Sequence, residues 1–335
     1  MRVTCSYLAV DERAVAQLAQ SLRCLPLAES FASTLAPRMD GPTEECLRAC
    51  LWAASICHST KGGLRGTFGS EVYKGWDYLI RAFTRSCSTN ASSLDPARIE
   101  QITESELSDL LASAATNSCV TLVDLARRAE ILRQTAHELL DLSGGSVSLL
   151  LDRASNKVGG DTGAYKLLSG MTAFRDPLKK KSGAFLLTAH FGRLWIVSDQ
   201  ENLEPMIDYH RMRLLCRTGC IKITDLDLQR KLESKQRVAI NVEENIRAAA
   251  ADICRLLVRL SGLGMFECDN LLWAHARSCC RHHPVCTGST LEDSSFYALI
   301  ESRFSGRCEF QSWCAGFVDS DIRAIWEPTS STENY

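Results

Sequence analysis

The strongest chemical signal in the sequence is the segment IDYHRMRLLCRTG at residues 207–219. Asp208 is a residue type that caps helix N-termini, and Gly219 is a residue type that ends helices, so a helix is predicted over Tyr209–Thr218. The helix dipole would keep the Asp208 carboxylate ionised. Such a carboxylate can stabilise the positive charge that develops on a sugar during N-glycosidic cleavage, and it can orient or deprotonate water. An ordinary capping aspartate is the alternative interpretation.

The elements that must position Asp208 are predicted to be helices. Apolar residues recur at intervals of three and four, which favours an all-α, mainly helical fold. The Gly144-Gly145 pair would stop the helix predicted over Leu122–Leu140. The periodic segments are Asp11–Arg23, Glu44–His58, Glu104–Ala115, Leu122–Leu140 and Ala248–Leu260.

The remaining segments suggest a division of the chain. The glycine-rich stretch at 61–71 is expected to be a loop, and the polar tail at 327–335 is expected to fray. A weak boundary falls near 157–162, although the two halves could interdigitate. We therefore predict an N-terminal helical region (1–160), a catalytic core (161–278), a cysteine metal loop with an insertion (279–314) and a C-terminal tail (315–335).

Composition limits the classes of function and partner. The 335 residues are 45% hydrophobic and 23% charged, with a formal charge of −2. Proteins that grip many phosphates usually carry a basic surplus, so a small substrate or a short contact with nucleic acid is favoured. We expect no signal peptide, no membrane partner and a reducing cytoplasmic location. Most of the 16 cysteines are then interpreted as reduced core thiols.

The segment around Asp208 resembles the helix-hairpin-helix DNA glycosylase superfamily, typified by bacterial endonuclease III. The resemblance implies a fold of two helical subdomains in which Asp208 is catalytic. Residues 180–192 resemble the helix that follows the hairpin, but the hairpin glycines, whose amides hold a DNA phosphate, are replaced at 174–182. Lys179–Lys181 could still meet a phosphate or form a solvated charge run. The matching positions are Ile207, Asp208, His210, Arg213, Arg217 and Gly219.

The run from Cys268, which includes His275, Ala276 and Arg277, resembles the approach to the iron–sulphur loop of endonuclease III. The outer spacings of that loop are kept, whereas its middle interval grows to the 21 residues 287–307. Four thiolates can hold a [4Fe–4S] cluster or zinc, and the resemblance favours iron. Cys280 could replace the first ligand, His282 or His283 could enter a zinc site, or the thiols could be unligated. The predicted ligands are Cys279, Cys286, Cys308 and Cys314.

A second resemblance is to the queuosine salvage proteins, which release queuine from queuosine 5′-phosphate. The segment RAEILRQTAHELLDLSGGS at 128–146 resembles part of that family, as does YKGWDYLIRAF at 73–83. Further matching positions are Glu243, Ile246, Arg247, Asp269, Leu272 and Trp273. This resemblance implies that Asp208 is catalytic and that Asp269 binds the substrate.

The predicted binding residues also have structural alternatives. Asp269 could accept hydrogen bonds from a substrate amine or base edge, or cap a helix. Tyr209 or Trp273 could stack on a base, although Trp273 could instead be core. Arg247 could bind a 5′-phosphate or pair with Glu243 one turn away. Lys180 is assigned a phosphate contact.

Three functions follow from these patterns. The leading hypothesis is an N-glycoside hydrolase that acts on a free nucleoside or nucleotide with a 7-deazaguanine-type base. The alternatives are a base-excision DNA glycosylase and a non-catalytic nucleic-acid-binding module.

Overall fold

The computed structural model of the protein describes residues 5–25, 36–37, 39, 41, 43–60, 62–291 and 306–334. Within these ranges the chain is mainly helical, which confirms the predicted fold class. The described helices are α1 (Glu12–Arg23), α2 (Thr43–Ser55), α3 (Trp76–Thr89), α4 (Pro96–Ile99), α5 (Glu104–Ser113), α6 (Leu125–Ser143), α7 (Val147–Asp152), α8 (Ala164–Leu168), α9 (Lys180–Phe191), α10 (Tyr209–Arg217), α11 (Leu226–Glu233), α12 (Ile240–Ser261), α13 (Met265–Ser278), α14 (Ala315–Val318) and α15 (Ser320–Ala324).

Two small antiparallel sheets accompany the helices. The described strands are β1 (Leu8–Val10), β2 (Leu64–Phe68), β3 (Glu71–Lys74), β4 (Thr116–Val120) and β5 (Ile221–Ile223). Strand β1 pairs with β5, and β2 lies between β3 and β4. Short 3₁₀ turns occupy Ala91–Leu94, Thr172–Phe174, Gln200–Asn202 and Val285–Thr287.

The prediction of a loop at 61–71 is wrong, because its described part forms β2 and the turn into β3. Gly66 lies in β2 where a Cβ atom would meet Cε2 of Tyr78 at 2.5 Å, so only glycine fits against that ring. Gly69 has a φ of 61°, which suits the tight turn between the strands. These glycines are therefore requirements of a packed hairpin.

The chain folds into two compact units, which interleave along the sequence. The first unit comprises residues 1–34 and 204–332, and the second comprises 35–203 and 333–335. The functional division of the chain at residues 160, 278 and 314 stays a prediction.

In the first unit, α1 packs on the long helix α12, and α10 packs on α13. The apolar face of α1 is fully buried at Val15, Leu18 and Leu22. Asp11 caps α1 with hydrogen bonds from the amides of Arg13 and Ala14, at 3.0 and 3.1 Å. These helices form the framework that carries Asp208.

In the second unit, α2 packs between α3 and α9, and α6 lies against α4 and α5. Trp52 of α2 is fully buried, and its indole nitrogen donates to the Leu94 carbonyl at 3.0 Å. Helix α6 ends at Gly144, which adopts the left-handed conformation with a φ of 61°. This confirms the predicted stop signal.

The tail was expected to fray, and that prediction is wrong for its first residues. Glu327 is buried, and the Val238 amide donates to the Thr329 carbonyl at 3.0 Å. These first residues of the tail are therefore paired with the rest of the first unit.

No helix in the described ranges is both long enough and apolar enough to cross a membrane.

The Gly66→Ala variant should lower the free energy of unfolding by about 1–3 kcal/mol, because the added methyl group overpacks the Tyr78 ring. Urea unfolding followed by circular dichroism measures this change. The exposed neighbour Arg65 provides a control, and Arg65→Ala should change stability by less than about 0.5 kcal/mol. Equal stability of the two variants would contradict the packing role of Gly66.

Candidate functional site

Asp208 is the N-cap of helix α10, which begins at Tyr209. The predicted helix Tyr209–Thr218 agrees with α10 to within one residue. Oδ1 of Asp208 accepts a hydrogen bond from the Arg211 amide at 3.1 Å, so the predicted cap is confirmed. Gly219, with a φ of 83°, takes the left-handed conformation just after the helix. Ile207 is fully buried, whereas the Asp208 side chain keeps 11% of its surface exposed. The Asp208 side chain is therefore mostly buried but keeps a small exposed surface.

The guanidinium of Arg211 joins Asp208 to Asp269. Its Nη1 lies 3.2 Å from Oδ2 of Asp208, and its Nη2 forms an ion pair with Oδ2 of Asp269. Its Nε also donates to the Asp269 carbonyl at 3.3 Å. Arg211, which the sequence analysis did not select, thus brings together the two aspartates that it predicted.

Asp269 lies within α13 and has no exposed side-chain surface. Its Oδ1 accepts a hydrogen bond from the Met206 amide at 3.0 Å, and its Oδ2 pairs with Arg211. Asp269 therefore fixes both the arginine and the backbone two residues before Asp208. Its predicted contact with substrate stays a prediction.

The electrostatics of this cluster are dominated by burial. Burial raises the pKa of Asp269, and Asp208 raises it further, while Arg211 opposes both effects. Burial alone would lower the pKa of Arg211, but Asp269 and Asp208 outweigh it and the pKa is raised. Arg211 therefore lies between the two carboxylates and forms an ion pair with each of them.

Arg247, Tyr209 and Trp273 also belong to the first unit. Arg247 is buried, and its Nε donates at 3.1 Å to the carbonyl of Ile207, directly before Asp208. The half-buried Tyr209 ring lies 4.3 Å from that of His210, and the guanidinium of Arg277 lies 4.9 Å from the Trp273 ring. Arg247 therefore supports the backbone of the site, and the three substrate contacts stay predictions.

Lys180 belongs to the second unit, at the start of α9. Its Nζ donates to the Cys57 thiol at 3.0 Å. Its predicted phosphate contact stays a prediction.

Two further arginines of α10 hold the segment that follows α13. Arg213 donates to the carbonyls of Cys280 and Ala276 at 2.8 and 2.7 Å, and it pairs with Glu327. Burial lowers the pKa of Arg213 to about 10, so it stays charged at neutral pH. Arg217 donates to the carbonyls of Arg281 and Ile325 at 2.7 and 2.8 Å. The arginines that match the glycosylase pattern therefore anchor the cysteine segment and the tail to the helix of Asp208.

The cysteines of this segment influence one another electrostatically. Burial, followed by the charge of Cys280, raises the pKa of Cys286, and the same two causes raise that of Cys314 to about 11. Burial and the charges of Cys279 and Cys280 raise the pKa of Cys308. The Arg217 guanidinium lies 3.9 Å from the Cys280 sulphur.

Among the described residues, no three cysteine, histidine, aspartate or glutamate side chains are arranged to hold a metal ion. Residues 292–305 of the insertion lie outside the described residues. The predicted ligand set therefore stays a prediction, with Cys280 as its alternative member.

No family model matches the chain, and no curated protein matches it. The assignment of function therefore depends on the residues of the site.

Sequence reasoning missed Arg211 and Glu327. Arg211 follows Asp208 by three residues, a spacing that places two side chains on the same helix face, and this was the available signal. Arg211 and its partner Asp269 are 58 residues apart in the chain. The local sequence pattern gives no signal for such a distant pair. Glu327 was missed because it stands in a polar tail with no periodicity.

The Arg211→Gln variant should lower the free energy of unfolding by roughly 3–5 kcal/mol, because it leaves two buried carboxylates without their cation. Arg255 provides a matched control, since its ion pair with Glu204 at 2.6 Å is partly exposed, and Arg255→Gln should cost about 1 kcal/mol or less. Urea titration of both variants measures the difference. Equal losses would show that the Arg211 cluster is no more than a surface ion pair.

Proposed function

We propose that this chain is an N-glycoside hydrolase that releases a queuine-type 7-deazaguanine base from a nucleoside or its 5′-phosphate, with Asp208 as the catalytic carboxylate. The observation that carries the proposal is the position of the Asp208 carboxylate. It caps the N-terminus of α10 in a mostly buried setting, is held by Arg211, and keeps 11% of its side-chain surface exposed.

The proposed reaction follows from that position. The bond between C1′ of the sugar and the base nitrogen breaks, and its electron pair leaves with the base. Positive charge then develops on the sugar, where a fixed carboxylate in a poorly solvated setting stabilises it. Water adds to C1′, and Asp208 accepts the proton that water loses. That proton then passes through solvent to the departing base, which regenerates the Asp208 carboxylate.

The other residues of the cluster keep Asp208 in place. The Arg211 amide and guanidinium hold both carboxylate oxygens, Asp269 holds Arg211, and Arg247 holds the carbonyl before Asp208. A catalytic group must stay within a fraction of an ångström of its working position, and this set of contacts supplies that constraint. In the proposal, Tyr209 and Trp273 supply the aromatic surface on which a base stacks.

The turn before α9 favours a free nucleotide over duplex DNA. Asp176 accepts hydrogen bonds from the amides of Leu178 and Lys180, at 3.1 and 2.9 Å. Amides at a helix entry are the donors that would bind a phosphate, and a carboxylate of the protein already uses them here. Lys179, directly before the helix, has a left-handed backbone conformation with a φ of 56°, which glycine adopts with the least strain. The DNA glycosylase alternative therefore lacks its phosphate-binding turn.

We propose in addition that Cys279, Cys286, Cys308 and Cys314 hold a [4Fe–4S] cluster, with Cys280 as the alternative first ligand. Such a cluster would supply a structural crosslink of the segment after α13. The chain's own contribution is the pair Arg213 and Arg217, which fix the backbone of that segment and place positive charge beside the thiols.

Protein purified without oxygen should be brown and should contain about four iron atoms per chain. Cys286→Ala and Cys314→Ala should each lose most of that iron, whereas Cys119→Ala, which removes an exposed thiol of the other unit, should retain it. Elemental analysis and visible absorption measure both effects. If the protein instead contains stoichiometric zinc, the metal held by these cysteines is zinc and not iron. The absence of any bound metal would refute the proposed metal site.

Asp208→Asn should reduce base release by roughly 10²–10³-fold, because it removes one preorganised charge. Asparagine still caps a helix, so the stability of the protein should change little. Single-turnover release of base from queuosine and queuosine 5′-phosphate, detected by mass spectrometry, measures the rate. Thermal unfolding of the same samples measures stability.

Asp225 offers a matched control, because it caps α11 through the Leu228 amide at 2.7 Å from an exposed position. Asp225→Asn should retain full activity. Wild-type turnover by Asp208→Asn would refute the mechanism. If that variant unfolds, Asp208→Ser retains a capping residue without the charge and repeats the test.

A further inference from the structure

A small cationic pocket lies within the second unit. Its volume is about 70 Å³, well above the roughly 10–15 Å³ that one buried water needs. Arg127 and Lys181 supply positive charge to its wall, and Glu333 is the single acid among the described residues that line it. Gln134 and Thr172 add polar groups to the lining.

The carboxylate of Glu333 is bound in this pocket as an anionic ligand would be. Its Oε1 lies 2.7 Å from Nε of Arg127, and its Oε2 lies 3.0 Å from Nη2. Two parallel hydrogen bonds from one guanidinium are the geometry by which arginine recognises carboxylates and phosphates. The hydrogen bond from Arg127 lowers the pKa of Glu333, and the charges of His58 and Lys181 add to that effect.

Lys181 contributes a buried positive charge to the lining of the pocket. Its side chain is almost wholly buried, and its Nζ donates to the Ser55 carbonyl at 2.6 Å. An ammonium carries three donors, so this bond to the Ser55 carbonyl engages one of them. Burying the charge of a lysine costs free energy, so a buried lysine is usually paired or functional. An anion in the pocket would compensate the charge of Lys181.

We propose that this pocket binds a phosphate group, and that Glu333 is an internal competitor for it. A phosphate group carries between one and two negative charges at neutral pH, against one for the carboxylate, so it gains more from Arg127 and Lys181. Phosphate binding therefore displaces the tail at Glu333. The proposal uses only residues of the second unit and is independent of the glycosidase reaction.

The test is calorimetric titration of the full chain at constant ionic strength with inorganic phosphate, ribose 5-phosphate and acetate. Glu333→Gln should bind phosphate roughly tenfold more tightly, as expected if the tail occupies the site about nine-tenths of the time. Arg127→Gln should weaken binding by at least roughly tenfold, because it removes the bidentate donor. Tighter binding of ribose 5-phosphate than of inorganic phosphate would identify a phosphate monoester as the ligand, and the reverse order would identify the free ion.

Glu130 provides the control, because it also pairs with Arg127, at 2.7 Å, but does not line the pocket. Glu130→Gln removes the same charge and should change the affinity by less than about twofold, because Glu130 does not occupy the pocket in which phosphate would bind. Equal effects of Glu130→Gln and Glu333→Gln would show that affinity depends only on the total charge near Arg127, which would overturn the proposal. Undiminished binding by Arg127→Gln, or acetate binding as tight as phosphate binding, would overturn it as well.

Discussion

The first unit depends on the burial of Arg211 between two carboxylates. Removing three charges from water is costly, and the cost is offset only when each charge is paired and hydrogen-bonded. Here the Met206 amide, the Arg211 amide and the Asp269 carbonyl complete the pairing. Because these partners come from α10, from α13 and from the segment before α10, the cluster fixes three parts of the chain at once.

Helix α10 distributes its three buried arginines over two faces. Arg211 points to Asp269, whereas Arg213 and Arg217, one turn apart, bind the cysteine segment and the tail. The cysteine segment therefore holds the middle and the C-terminal end of the helix whose N-terminus Asp208 caps. If the proposed cluster stiffened this segment, it would stiffen the helix as well.

Local signals in the sequence predicted much of this arrangement. The cap before α10 and the glycines after α6 and α10 located these helix ends, because end signals are encoded by residues adjacent in the chain. Helix α12 begins at Ile240, eight residues before the predicted start, because its first turns bury Glu243 and Arg247 and so interrupt the apolar period. The hairpin at Gly66 and the partner of Arg211 depend on contacts distant in sequence, which periodicity does not record.

The presence of Asp269 distinguishes the setting of Asp208 from that of an ordinary cap. A cap alone requires one acceptor, as the exposed Asp225 of α11 illustrates with its bond to the Leu228 amide. If Arg211 served only to neutralise Asp208, a second buried carboxylate would add desolvation cost without benefit. Asp269 instead binds both Arg211 and the Met206 amide, so it fixes the cation and the backbone beside Asp208. A carboxylate held in this way has the positional constraint that the proposed stabilisation of a sugar cation requires.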